Sequence, residues 1–208
     1  MPRKDPKLER RKELILAAIS TIAEHGFDRF TMARVAKTAK APPVELREYF
    51  RDKKELLAET LRTLALKYEV RWRDKVHRAA APIEKLKAMI EADFDPMVSH
   101  RSDGIVWYGF WREAQWRPEC RQICERLSNA YFEQARAIIQ QIADQGRHRK
   151  MDVPGLTRGF NAMIDGLWMD HLINPKSCTQ EVANRTCHAF LAVAFPLEYA
   201  ASNLSSAA

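Results

Sequence analysis

Helix-breaking residues are scarce in this chain. Only 7 glycines occur in 208 residues, and no stretch alternates β-branched with polar residues as a half-buried strand would. Leu, Ala, Ile, Glu, Lys and Arg instead recur at helical spacing, so the chain reads as all-α. No apolar run is long enough to span a bilayer, and the basic opening MPRKDPKLERRK is not followed by the apolar core of a secretory signal. Cytoplasmic residence without membrane contact is the expectation. Cysteine is sparse too: Cys120, Cys124, Cys178 and Cys187 form no CxxC pair, which argues against a disulfide framework. Cys120 and Cys124 stand one turn apart and Cys187 precedes His188, but two ligands on one turn do not make a metal site, so structural thiols and no metal are expected. Catalytic signatures are also missing. His25, His77, His100, His148, His171 and His188 show neither HExxH nor a nucleophile-base spacing, and no glycine-rich phosphate loop occurs. Neither an enzyme nor a bound cofactor is expected.

What the chain has is an uneven charge. Residues 1–54 hold 14 Lys or Arg against 8 Asp or Glu, while the other 154 residues hold 20 against 19. A basic segment ahead of a near-neutral body suits contact with a polyanion, and nucleic acid fits better than membrane because no amphipathic basic anchor accompanies it. The boundary drawn on this basis separates a basic arm and DNA-binding segment, 1–54, from a helical body, 55–208.

Within the basic segment, Arg3, Lys4, Lys7, Arg10, Arg11 and Lys12 form an arm, either solvated or lying along a DNA backbone, that leads into an amphipathic helix. That helix carries Ile15, Ala18, Ile19, Ile22 and Ala23 and stops at Gly26. Thr31 is placed to cap a short helix over Met32–Thr38. Pro42-Pro43 cannot continue it but suit the start of another, Val44 to Tyr49, with Val44 and Leu46 inward. Two short helices joined this tightly are the geometry of a helix-turn-helix, whose second helix enters the major groove. Asp52, with Glu55 closing a capping box, starts a long connecting helix to about Arg78.

The ordered series Gly26, Phe27, Thr31, Met32, Val35, Ala36, Ala39, Tyr49-Phe50 and Lys53-x-x-Leu56-Leu57 resembles the N-terminal domain of the TetR family of transcriptional regulators. The resemblance covers residues 10–57 and implies a three-helix DNA-binding domain in a protein that binds operators as a homodimer. Thr31, Lys40, Pro43, Arg47, Tyr49 and Lys53 are the DNA-contacting residues it implies. The chain departs from the family at Lys40-Ala41-Pro42-Pro43-Val44, where the prolines lack the donors that usually reach phosphate. Glu45 and Glu48 also bring negative charge to the recognition helix, so altered or lost operator recognition is the alternative reading.

Residues 82–200 read as five further helices: Pro82 to about Val98, Asp103–Trp116 capped by Ser102, Pro118–Gly146, Pro154–Leu172, and one capped by Thr179. That makes about nine helices, with an exposed linker over residues 146–152 and a loose tail, Ser202–Ala208. Trp107, Phe110 and Trp111 share a helix face. They read either as core packing or as an aromatic box for a quaternary ammonium ion, which donates no hydrogen bond and is held best by π faces. Phe110-Trp111 together with Ala162-Met-Ile-Asp-Gly-Leu-Trp168 is similar to the BetI-type, choline-responsive branch of the same family. This likeness implies choline or a related cation as effector, a pocket lined by Trp107, Phe110, Trp111 and Trp168, and Asp103, Glu113 or Asp165 as counter-charge. By the same family resemblance, Ile164, Leu167, Phe190, Leu191 and Val193 are candidates for a four-helix dimer seam, an intramolecular core being the other reading.

Overall fold

The computed structural model describes residues 5–94, 101–145 and 151–205, the side chains of Arg101 and Ser205 excepted. Ten helices and no strand occur among these residues: α1 (Pro6–His25), α2 (Met32–Thr38), α3 (Pro43–Tyr49), α4 (Lys53–Arg78), α5 (Pro82–Phe94), α6 (Arg101–Ala114), α7 (Pro118–Asp144), α8 (Val153–Ile173), α9 (Gln180–Ala194) and α10 (Pro196–Ser205). The tenth arises where one last helix was expected. Pro196 lacks an amide proton and disfavours helical geometry at Phe195, so α9 ends there and proline opens α10. The tail expected to be loose is therefore helical through Ser205. The end of the expected Pro82–Val98 helix, the residues Arg3 and Lys4, the 146–150 part of the linker and residues 206–208 lie outside the described residues.

The described helices fall into two compact units, residues 5–67 with 101–126, and residues 68–94 with 127–145 and 151–205. In the first, α1 packs on α2 and α2 on α3, burying Leu14, Ile15, Ala18 and Ile22 of α1, Val35 and Ala36 of α2, Leu46 of α3, and Phe30 and Phe50. Each of the larger side chains contributes roughly 1.5–3 kcal/mol on burial. The capping signals are met. Asp5 accepts from the Lys7 amide, the Thr31 hydroxyl from Arg34 at 3.2 Å, and Asp52 from Glu55 at 2.8 Å. Glu55 returns a bond to the Arg51 amide, one residue earlier than a capping box would place it. Gly26 takes φ 74 at the end of α1, a conformation that suits glycine.

Lys40, in the turn between α2 and α3, takes φ 52 and is the only non-glycine residue with positive φ among those described. An L side chain in this region costs roughly 1–2 kcal/mol. Lys40→Gly should therefore stabilise the fold by about 1 kcal/mol, raising Tm by roughly 2–4 °C in a chain of this size. A thermal melt checks this, and an unchanged or lower Tm would show the turn is not strained by its side chain.

The second unit is built around Trp72, Leu86, Phe94, Ile138, Phe160, Leu191 and Phe195. Helix α9 packs on α5, α8 and α10, and α10 also reaches α5. There the nearly buried Lys87 ammonium donates to Ser202 Oγ at 2.6 Å and Asn203 Oδ1 at 3.0 Å, pairs with Glu84 at 3.1 Å, and lies over the Tyr199 ring. A desolvated ammonium is tolerated only when so partnered, which explains why the C-terminal residues fold back as a helix.

Candidate nucleic-acid interface and effector site

Helix α3 is covered on one side only. Leu46 is buried, whereas Pro43, Val44, Arg47 and Glu48 are exposed on one face. Val44, expected inward, is 65% exposed; helical spacing puts it on one face with Pro43, Arg47 and Glu48, and the inward position falls to Leu46. Of the expected contact residues, Thr31, Lys40, Pro43 and Arg47 are exposed, and Tyr49 and Lys53 are half-buried. Lys53 Nζ stands 5.7 Å from the Phe30 ring centroid, which steadies its stem beside the opening of α4. Because Thr31 accepts from a backbone amide, its hydroxyl proton points away from the cap and suits an outside acceptor such as phosphate.

The two glutamates behave differently. Glu45 binds the Arg10 guanidinium through both oxygens, at 2.6 and 3.3 Å, and Arg10 also holds Glu13. These hydrogen bonds keep the Glu45 carboxyl below its ordinary range and the Arg10 guanidinium above its own. Arg11 pairs with Glu59 of α4 and lies over the Phe50 ring at 5.1 Å. Arg10 and Arg11, read from sequence as part of an arm, thus tie α1 to α3 and α4. Among the described residues only Glu48 leaves an acid on the outward face of α3.

Helix α6 packs against α1. Phe110 is fully buried, edge-on to Phe27 with ring centroids 4.9 Å apart, and Arg112 pairs with Asp28 at 3.2 Å. Gly109 lies flat on the same ring: a Cβ there would stand 2.0 Å from Phe27 Cε2. Alanine gains about 1 kcal/mol of helix propensity but forces the ring off Phe110, an overpacking cost of roughly 1–3 kcal/mol. Gly109→Ala should thus destabilise the chain by about 1 kcal/mol, read as a lower Tm; a rise in Tm would show that Phe27 moves freely.

The expected aromatic box divides. Phe110 belongs to the core of the first unit, Trp107 is half-buried, and Trp111 is 36% exposed against Tyr108, with ring centroids 4.8 Å apart. Trp168 belongs to the second unit, stacked on Phe94 at 5.7 Å. The expected counter-charges divide as well: Asp103 pairs with Lys67 at 3.6 Å, Glu113 with Arg117 at 2.7 Å and Arg112 at 3.5 Å, and Asp165 is exposed on α8.

The acid that sequence reasoning missed is Asp93. It stands beside Phe94 on the apolar face of α5, 2% exposed, and accepts from Tyr68 Oη and Tyr131 Oη at 2.7 Å each, one per carboxylate oxygen. Burial pushes its carboxyl up to about 6, although both phenols and the Arg71 charge pull it down; Asp165 adds repulsion. Tyr68 and Tyr131 stack at 5.9 Å, and Trp72 meets Tyr131 edge-on at 5.6 Å. One signal was available: Ile90, Asp93 and Phe94 share a helix face, and an acid on an otherwise apolar face calls for buried partners.

On α8 and α9 the expected seam residues also separate. Ile164 and Leu191 are enclosed in the chain's own core, Leu167 and Phe190 are partly buried against it, and Val193 is 83% exposed. Met169, Ile173 and Leu197 add further exposed apolar surface nearby in sequence.

A tight pair of short helices with one outward face, preceding an all-helical body, is the layout of a helix-turn-helix transcriptional regulator. Residues 14–60 match the family model of the tetR family of bacterial regulatory proteins, and residues 82–196 match the C-terminal domain of BetI-type transcriptional repressors. The HTH-type transcriptional regulator BetI of Agrobacterium fabrum is 30% identical over 174 residues, covering 82% of this chain and 81% of that protein. BetI of an Escherichia coli O17:K52:H18 strain is 25% identical over 95% of this chain and all of its own length. Among solved structures, a putative transcriptional regulator from Saccharomonospora viridis in complex with choline superposes with a TM-score of 0.81 at 22% identity, over 88% of this chain and 96% of that one. The chain belongs to the TetR family of transcriptional regulators, in its BetI-type branch.

Proposed function

We propose that the chain is a dimeric repressor of double-stranded operator DNA, released by choline or a related small quaternary ammonium compound. The observation that carries the DNA-binding half is the outward face of α3. Pro43, Val44 and Arg47 stand exposed there, while Glu45 is drawn back to Arg10. On this reading Arg47 contacts bases or phosphate and Val44 meets a thymine methyl. Thr31, Lys40, Tyr49 and Lys53 bind the backbone around them, and Pro43 packs against it. Because Glu45 is paired with Arg10, the acidic motive for lost operator recognition is reduced to Glu48, and the proline turn stands beside it.

The effector half draws support from the BetI naming of the relatives and from the choline-bound neighbour. Trp168 is the member of the expected aromatic set that we place against the effector. Trp107, Phe110 and Trp111 we assign to α6, which carries the response to α1 through the Phe27–Phe110 contact. A ligand does this only by differing in affinity between two arrangements of the protein. Pairing of two chains through α8 and α9 rests on Val193, Leu167 and Phe190, with Met169 and Ile173 extending the apolar surface. A regulator of this kind works in the cytoplasm, catalyses no reaction and needs no membrane; no described helix is long and apolar enough to cross one. The functional division is then 1–54 for DNA and 55–208 for effector and dimer. Gel shift of the DNA upstream of its own gene, with and without choline, tests the proposal. A shift at low salt that choline reverses is expected. No shift would sink the repressor, and a shift indifferent to choline would remove the choline effector.

A further inference from the structure

The second unit contains a charge buried in an aromatic setting that no residue assigned so far explains. Asp93 accepts from Tyr68 of α4 and Tyr131 of α7; Trp72 of α4 meets Tyr131 edge-on, and the neighbouring Phe94 stacks on Trp168 of α8. Both carboxylate oxygens already accept phenolic hydrogen bonds at 2.7 Å. When ionised, the carboxylate keeps its negative charge while its strongest hydrogen-bond directions are filled. An ammonium bearing protons needs acceptors of its own, whereas a quaternary ammonium needs only charge and π faces. This arrangement therefore favours the quaternary ion.

A second observation is independent of the acid. Trp72 is fully buried, and its indole Nε1 has no hydrogen-bond partner. A buried orphan donor costs free energy unless something accepts from it. It stands edge-on to Tyr131, the ring that holds Asp93. An oxygen two carbons from a quaternary nitrogen supplies an acceptor of the kind this donor lacks.

Resting on the effector reading above, we propose that Asp93 is the counter-charge of the effector site, that Tyr68, Phe94, Tyr131 and Trp168 supply its π faces, and that Trp72 Nε1 donates to an oxygen of the ligand. The ligand class is a small quaternary ammonium carrying a hydroxyl or carbonyl oxygen. Arg71 lies over the Tyr68 ring at 5.4 Å and its positive charge acts on Asp93, so it opposes entry of a second cation. Arg71 thus sets a threshold that only a ligand with full π contact overcomes.

Isothermal titration of the full chain tests this with four ligands: choline, tetramethylammonium, ethanolamine and the neutral isostere 3,3-dimethylbutan-1-ol. Choline should bind tightest, with the neutral isostere and ethanolamine at least about 30-fold weaker, the usual scale for losing a desolvated charge partner or leaving protons unpaired. Asp93→Asn, which keeps oxygen and volume, should lose choline by a similar factor while near-UV circular dichroism stays native. Trp72→Phe should narrow the preference for choline over tetramethylammonium, which covers the case in which Asp93→Asn fails to fold. Trp116→Phe, at a side chain 80% exposed, serves as the unaffected control. Equal binding of the neutral isostere, or wild-type choline affinity in Asp93→Asn, overturns the assignment. If choline still releases Asp93→Asn from DNA at wild-type concentrations, this site is wrong and the repressor reading stands. If the intact protein binds no choline, this site and the choline effector fall together, while the repressor reading is decided by the DNA shift alone.

Discussion

Tyr131→Phe should cost the protein about 2 kcal/mol at pH 8 and clearly less at pH 5, because its hydroxyl holds an ionised carboxylate only at the higher pH. Asp93 is buried, and burial raises its carboxyl from 3.8 to about 6. A carboxyl with a raised folded-state value contributes stability below the unfolded value, and that contribution is lost as the pH rises through about 6. The difference between the two values corresponds to roughly 3 kcal/mol of cost above pH 6. Without the Tyr131 hydroxyl, one carboxylate oxygen loses its 2.7 Å donor, the folded-state value climbs further, and the loss widens toward alkaline pH. Urea denaturation at pH 5 and pH 8 reads the effect directly. An equal loss at both would show that Tyr131 acts through packing alone. A bound cation would oppose the same cost, so choline should raise Tm more at pH 8 than at pH 5.

The head was legible because its signals are local. Thr31 caps α2, Gly26 ends α1 with positive φ, Asp52 caps α4, and Leu46 points inward, all read from residues within four positions. Signals acting over distance were not. The partners of Arg10 and Arg11 lie 35 and 48 residues away, and a run of cations ordinarily reads as a solvated face, so the clamp on α3 and α4 was missed. Val44 and Leu46 are both apolar at the start of a seven-residue helix, too short for periodicity to choose the inward one. The body gave up its helices but not its partners. Trp107, Phe110 and Trp111 share a face by spacing, but α6 turns Phe110 onto Phe27. Ile164 and Val193 are equally apolar in sequence, yet one is enclosed and the other is 83% exposed. Helices that are apolar on more than one face do not declare which side meets their own chain.

Exchanging the charges at positions 10 and 45 should separate repulsion from positioning on the recognition helix. If Glu45 merely opposed the phosphates, Glu45→Gln would tighten operator binding, since one negative charge near the backbone is removed. Glu45 instead takes both oxygens to Arg10, 35 residues earlier on α1, and helix α3 has no side-chain cap of its own because Pro42 occupies that position. The pair therefore fixes the angle at which a seven-residue helix leaves its prolines. Glu45→Gln should weaken operator binding by about tenfold, on the scale of interacting pairs, and Arg10→Gln by at least as much. Arg10→Glu combined with Glu45→Arg leaves the net charge unchanged and restores a pair, so it should recover most of the affinity with the salt dependence unaltered. Quantitative gel shift over a salt series decides. Tighter binding by Glu45→Gln, or no recovery in the double exchange, would show that the acid belongs to the reading face and not to its support.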